Sequence, residues 1–176
     1  GMEHTGATLY SDRVMFLEKS ATIAEKMNRS KLIAHETAHM WFGDYVTMKW
    51  FNDVWIKEVF ANWFAMKIVS PQYPETDHRF HFLNSYYPSA YSEDRTAGAV
   101  PVQQELDNLK NAGLVYCNII YNKAPIVMRQ LEQLAGEENL KRGLQEYLKK
   151  YSWGNARWDD LVAILEKAAQ KPLGEW

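Results

Sequence analysis

The stretch "HETAHMWFGDYVTMKWFNDVWIKEVFANWFA", residues 35–65, decides how the rest of the chain is read. It opens with His35 and His39 four positions apart, with Glu36 between them. On an α-helix, residues i and i+4 stand one above the other, so the two imidazoles can aim at one point. Glu36 lies about 100° around the helix from His35. It cannot easily ligate the same ion, but it can reach a water held beside that ion. Two imidazole ligands and a base for the attacking water are the physical content of the HExxH pattern. The flanking Leu32, Ile33, Ala34, Ala38, Met40, Trp41 and Phe42 are apolar nearly all round the helix, which predicts burial. Polar side chains on a buried helix need partners, because unpaired ones are costly.

A catalytic zinc site needs a third protein ligand and an open fourth position. Glu58 is the candidate, with 18 residues between it and His39, on a second helix over "VWIKEVFANWFAMKIV". Val54, Ala61, Asn62 and Ala65 share its face, and the small residues among them permit close approach of the first helix.

Outward from this block the chain reads as mostly helical. "DRVMFLEKSATIAEKMNRS" has helical composition, and Ser30 reads as the N-cap of the helix that carries His35 and closes near Gly43. Asn52 or Asp53 reads as the cap of the Glu58 helix, which stops at Ser70-Pro71. A short helix is expected around "HRFHFLNSYY", between proline-rich loops. Pro125 breaks the next helical pattern and suits the first turn of a new helix ending at Gly136. "EENLKRGLQEYLKKY", acidic at its start and basic at its end, and "WDDLVAILEKAAQK" complete the set. "GMEHTGATLYSD" reads as a loop and one short strand. The fold class expected is mainly α, with at most a short N-terminal β element.

Composition bounds the function. With 176 residues, 47% of them hydrophobic, the chain can bury a real core. A net charge of −2 without a basic run excludes nucleic acid as the main partner. No apolar run is long enough to cross a bilayer, and the first residues do not read as a secretory signal. Ten tyrosines and seven tryptophans suit a core and also a peptide-binding cleft. Cys117 stands alone, so no intrachain disulfide forms, and it reads as a buried structural thiol. His78 and His81 have helical spacing but no carboxylate partner, and read as ordinary surface or core histidines.

HExxH, 18 residues and a glutamate resemble the zinc signature of the M1 aminopeptidases, a branch of the gluzincins. The whole 35–65 block is similar to that family's helix–connector–helix segment, except that Val59 stands where the family usually has glycine. "GMEH" resembles the exopeptidase motif GxMEN, with His4 in place of asparagine. The resemblance implies that Glu3 holds the α-ammonium of a peptide with a free N-terminus. "IIYNKAPIV" resembles the family's YxKG segment, with Ala124 in place of glycine. It implies that Tyr121 donates a hydrogen bond to the developing oxyanion, while Tyr116 and Tyr147 read as core. The resemblance extends over the whole chain and implies the helical part of a thermolysin-like catalytic domain, residues 1–176 forming one partial domain. Family members are several times longer, so a β-rich domain before this region and a helical domain after it are expected to be absent here.

The expected chemistry is removal of an N-terminal residue from a peptide by a zinc-activated water. One zinc ion is held by His35, His39 and Glu58, Glu36 is the general base, and Tyr121 and Glu3 act as above. A thermolysin-like endopeptidase and an epoxide hydrolase share this ligand set. From outside the enzymes, the rival is a zinc-binding helical scaffold without turnover. Loss of neighbouring domains would expose apolar surface and favour self-association.

Overall fold

The computed structural model describes all 176 residues. The elements are α1 (Asp12–Met15), α2 (Ile23–Ala38), β1 (Val46–Met48), α3 (Trp55–Val69), α4 (His78–Asp94), α5 (Ala112–Val115), α6 (Ala124–Ala135), α7 (Glu137–Lys150), β2 (Gly154–Ala156) and α8 (Trp158–Ala169). The mainly helical class holds. No helix is long and apolar enough to cross a membrane.

The helix bearing His35 begins earlier than Ser30. Thr22 caps it: its hydroxyl accepts from the Glu25 amide, and the Glu25 carboxylate accepts from the Thr22 amide at 2.8 Å. This capping box satisfies two orphan donors at once, so α2 runs unbroken from Ile23. Ser30 instead lies mid-helix, bonding back to the Lys26 carbonyl at 3.1 Å and across to the Tyr73 hydroxyl at 2.9 Å. The expected helix over residues 12–30 therefore divides, with only α1 formed before the Thr22 cap. At the far end of α2, the amides of Asp44, Tyr45 and Val46 bond to the carbonyls of His39, Met40 and Trp41. Gly43 makes this turn possible with φ +134°, a conformation that a side chain resists.

Neither Asn52 nor Asp53 caps α3. A 3₁₀ turn over Phe51–Asp53 leads into the helix, and Val54 holds the cap position without a side-chain bond. Buried Asp53 is used elsewhere: Oδ1 accepts from Gln103 Nε2 at 2.6 Å, and Oδ2 accepts from the Trp158 amide at 3.3 Å. One carboxylate thus ties the connector before α3 to the start of α8. β1 and β2 pair in parallel, Val46 opposite Gly154, and reinforce the same junction. The residues near the N-terminus contribute only a bridge, Met2 to Leu9.

α4 is longer than the short helix expected. Asp77 caps it by accepting from the Arg79 and Phe80 amides at 3.0 Å, and it runs past Pro88 to Asp94. Pro125 and Gly136 bound α6 as the sequence indicates, Gly136 with φ +86°.

α2 and α3 lie antiparallel: His39 faces Glu58, while Ser30, near the other end, meets Tyr73 beyond the end of α3. The main core forms on the other side of α3. Phe60 is fully buried and stacks on Phe42 with centroids 4.8 Å apart, and Val59, Ile120, Met128, Leu140 and Leu161 close around it. Val59 is itself fully buried, so its extra bulk relative to glycine is taken up inside the core. α3 is thus fixed on both sides, by core on one and by α2 on the other, and this holds the Glu58 end of the helix still.

Candidate active site

His35 and His39 come from α2 and Glu58 from the first turn of α3. His35 Nε2 and His39 Nε2 are 3.1 Å apart, with the rings nearly perpendicular at 88°. Glu58 Oε2 lies 3.5 Å from each. The opposite ring nitrogens are both engaged. His39 Nδ1 is 3.0 Å from the Phe42 carbonyl, and His35 Nδ1 is 3.1 Å from Asn62 Oδ1. These oxygens can only accept, so both Nδ1 atoms carry the hydrogens. The neutral rings therefore turn two Nε2 lone pairs toward each other and toward a carboxylate oxygen. Three acceptors at this separation repel unless a proton or a metal cation lies among them. A tetrahedral zinc ion with bonds of about 2.0–2.1 Å sets its ligand atoms about 3.3–3.4 Å apart. The observed spacings bracket that value, and the donor set of two imidazoles and one carboxylate suits zinc.

Lys57 completes the electrostatics. Its Nζ lies 3.2 Å from Glu58 Oε1 and also contacts Glu3. Glu58 thus has one oxygen on Lys57 and one free for an ion. Burial opposes its ionisation, but His35, His39 and Lys57 hold its carboxyl well below the usual carboxylate range. Burial likewise disfavours charge on His39, and Glu58 more than offsets it, raising the imidazole above its ordinary value.

Glu36 is buried between His35 and the N-terminal segment. Its Oε1 is 3.5 Å from the Gly1 nitrogen, and its Oε2 has no hydrogen-bond partner. A buried carboxylate oxygen without a partner is costly, and it leaves Glu36 with a free acceptor at the cleft. Glu3 is carried into the cleft by the Met2–Leu9 bridge, whose two amide bonds measure 2.9 Å. Burial disfavours its charge, yet Lys57 lowers its pKa overall. Tyr121 sits in a π-helical turn, Ile119–Lys123, in which Ile119 and Ile120 point into the core. Such widened turns recur at functional sites because they redirect one side chain without ending the helix. Burial, then Glu58, pushes the Tyr121 phenol upward, so it remains a donor at neutral pH. All six residues singled out in the sequence line one open cleft of about 680 Å³.

The chain matches the peptidase family M1 domain model over residues 1–176. It belongs to peptidase family M1. Aminopeptidase M1-D of Oryza sativa subsp. japonica is 34% identical over 98% of this chain and 20% of its own length. Probable aminopeptidase 2 of Sulfurisphaera tokodaii is 33% identical, covering 99% of this chain and 22% of the relative. Endoplasmic reticulum aminopeptidase 2 of Homo sapiens is 33% identical over 95% of this chain and 17% of its own length. The chain spans about a fifth of the length of the curated relatives it matches. Zinc dependence is the norm of family M1.

Within this family M1 chain, several cleft residues escaped the sequence. Asn62 is four positions after Glu58 and so on its face, but its bond to His35 depends on how the helices meet. Lys57, one position before Glu58, meets both Glu58 and Glu3, a pairing that no helix spacing specifies. Tyr116, expected in the core, lines the cleft, with Lys57 Nζ 5.9 Å from its ring centroid. Tyr147 is buried as expected. Cys117 is only half-buried, near Gln104. His78 bonds to the Tyr73 carbonyl, whereas His81 meets Lys31, a cleft residue.

Proposed function

We propose that this chain is the zinc-binding segment of an aminopeptidase that hydrolyses the first peptide bond of a peptide with a free N-terminus. The observation that carries the reading is the close convergence of His35 Nε2, His39 Nε2 and Glu58 Oε2, with both imidazoles held by their Nδ1 hydrogens. His35, His39 and Glu58 would hold one zinc ion, which supplies polarisation of the scissile carbonyl and acidification of the attacking water. Glu36 takes the proton of that water with its unpartnered oxygen and delivers it to the leaving amine. Tyr121 donates its phenol hydrogen to the carbonyl oxygen as negative charge gathers there, a contribution typically worth about 10²–10³ in rate. Glu3 pairs with the substrate's α-ammonium and so sets the cut one residue from the end. Lys57 engages one Glu3 oxygen and leaves the other for that ammonium.

The relatives named above carry the name aminopeptidase, which supports this reading over an endopeptidase or an epoxide hydrolase. An apolar groove between Trp41, Phe64, Ile68 and Leu148, with Trp41 half exposed, supports a covering partner there: the rest of a longer chain or a second copy. The test is stoichiometric zinc by elemental analysis together with hydrolysis of a leucyl anilide. Glu36→Gln is expected to keep the zinc and lose turnover by about 10²-fold or more. Full activity in that variant refutes the general-base role.

A further inference from the structure

One charged residue of the cleft has no part in the chemistry above. Lys31 stands four residues before His35 on α2, about 6 Å further along the helix axis on the same face. It is half-buried, and burial alone lowers its pKa, with no carboxylate acting on it. Its Nζ lies 3.3 Å from His81 Nδ1, a nitrogen that also meets the Ser85 hydroxyl at 3.0 Å. The nearby Lys31 charge, after burial, keeps His81 below its ordinary pKa, so the imidazole is neutral and accepts from the lysine. Two ammonium hydrogens remain, and none of the cleft's carboxylates, Glu3, Glu36 and Glu58, acts on the Lys31 charge. A desolvated cation without a counter-charge is costly and marks a place where an anion is received.

The two ends of the cleft also differ in charge. Glu3 lies at the His39 end, where a carboxylate oxygen of Glu3, one of Glu36 and an imidazole nitrogen of His39 lie within 4.8 Å of one another. Lys31 lies beyond His35, at the other end. If Glu3 takes the amino end of the peptide, as in the function proposed above, the chain runs from Glu3 past His39 and His35 to Lys31. The 6 Å step along α2 matches about two extended residues.

We propose that Lys31 anchors a carboxylate on the leaving side of the scissile bond, specifically the C-terminal carboxylate of a tripeptide, with His81 as a positioning residue that holds the ammonium toward the cleft. The site is then matched to both ends of a short zwitterionic peptide. Longer or C-terminally blocked peptides forgo the second anchor.

The test compares Leu-Gly-Gly with its C-terminal amide on the zinc-loaded 176-residue chain. The free acid is expected to show kcat/KM about tenfold higher, as a charge-assisted bond to carboxylate implies. Lys31→Met, which keeps the aliphatic stem, is expected to bring the ratio to about one by loss on the acid alone. The rate on a leucyl anilide, which has no leaving-side carboxylate, stays unchanged. Lys31→Arg keeps the preference and controls for packing. Calorimetric binding of the same two peptides to the Glu36→Gln chain gives a readout independent of turnover. An acid preference in binding that Lys31→Met removes, in a parent that does not cleave, upholds the anchor and refutes the peptidase reading. Cleavage with an acid-to-amide ratio near one, or a ratio that survives Lys31→Met, overturns the anchor and leaves the peptidase reading intact.

Discussion

Asn62 offers a direct test of the metal geometry, because it acts on the ion only through His35. Its Oδ1 accepts the His35 Nδ1 hydrogen at 3.1 Å, which fixes the tautomer with Nε2 free. Asn62→Ala removes that acceptor without touching a ligand atom. Partners of this kind are worth about 10–100-fold in metal affinity. The net value of a hydrogen bond, about 0.5–1.5 kcal/mol, corresponds to roughly 2–12-fold. The His35 side chain is 15% exposed, so water can replace part of the lost bond, and the lower end applies. The zinc Kd is therefore expected to rise about tenfold. Competition against a fluorescent chelator at pH 7.5 measures it. Asn62→Asp, which restores an acceptor, is expected to recover the affinity. Helix content by circular dichroism is expected to be unchanged in both variants. An Asn62→Ala chain with parental zinc affinity would refute the tautomer argument and, with it, the claim that α3 orients the first ligand.

Three further outcomes follow from the same structure. In the metal-free chain His39 is raised above its unfolded value of about 6.5 and Glu58 is lowered below about 4.5. The His39 contribution is fully present below pH 6.5 and is lost as pH rises through its folded value, whereas the Glu58 contribution is present above pH 4.5 and is lost on acidification. The Tm with chelator is thus expected to peak between these limits, and the stabilisation by zinc to grow as pH rises; a zinc increment that does not vary between pH 5.5 and 8 contradicts this. Gly43→Ala forces a side chain onto φ +134°, with its Cβ 3.4 Å from the His39 carbonyl oxygen and 3.5 Å from His39 Nδ1. A loss of about 1–3 kcal/mol in urea unfolding is expected, with weaker zinc binding because the same turn holds the second ligand. Sedimentation velocity is expected to show concentration-dependent association of the chain, and Trp41→Glu to suppress it; identical profiles would discount the apolar groove as a contact face.

The site was legible in the sequence where its geometry is local. His35 and His39 need only the helix repeat, and Pro125 and Gly136 mark α6 through their own backbone limits. Ser30 looked like a cap because the chain offers a hydroxyl there, but Thr22 has Glu25 three residues on and therefore wins two bonds rather than one. The three residues of β2, Gly154-Asn155-Ala156, have little strand propensity of their own and pair only because β1 lies beside them. Asn62, Lys57 and Lys31 acquire their roles from the packing of α2, α3 and α4 and from the Glu3 segment. No spacing rule encodes those distances. The helix around "HRFHFLNSYY" was expected to be short, yet α4 continues through Pro88 to Asp94.

The three converging ligand atoms all come from residues 35–58, within a single helical hairpin, whereas β2 and the start of α8 reach Val46 and Asp53 from about a hundred residues away. Bringing distant segments together costs loop entropy that a hairpin avoids. If these atoms hold zinc as proposed, ion capture is available to the nascent hairpin before the distal strand docks, and the bound cation then serves as a nucleus on which later segments assemble. Refolding followed by rapid mixing should show zinc accelerating the earliest helical phase and leaving the slow docking phase untouched.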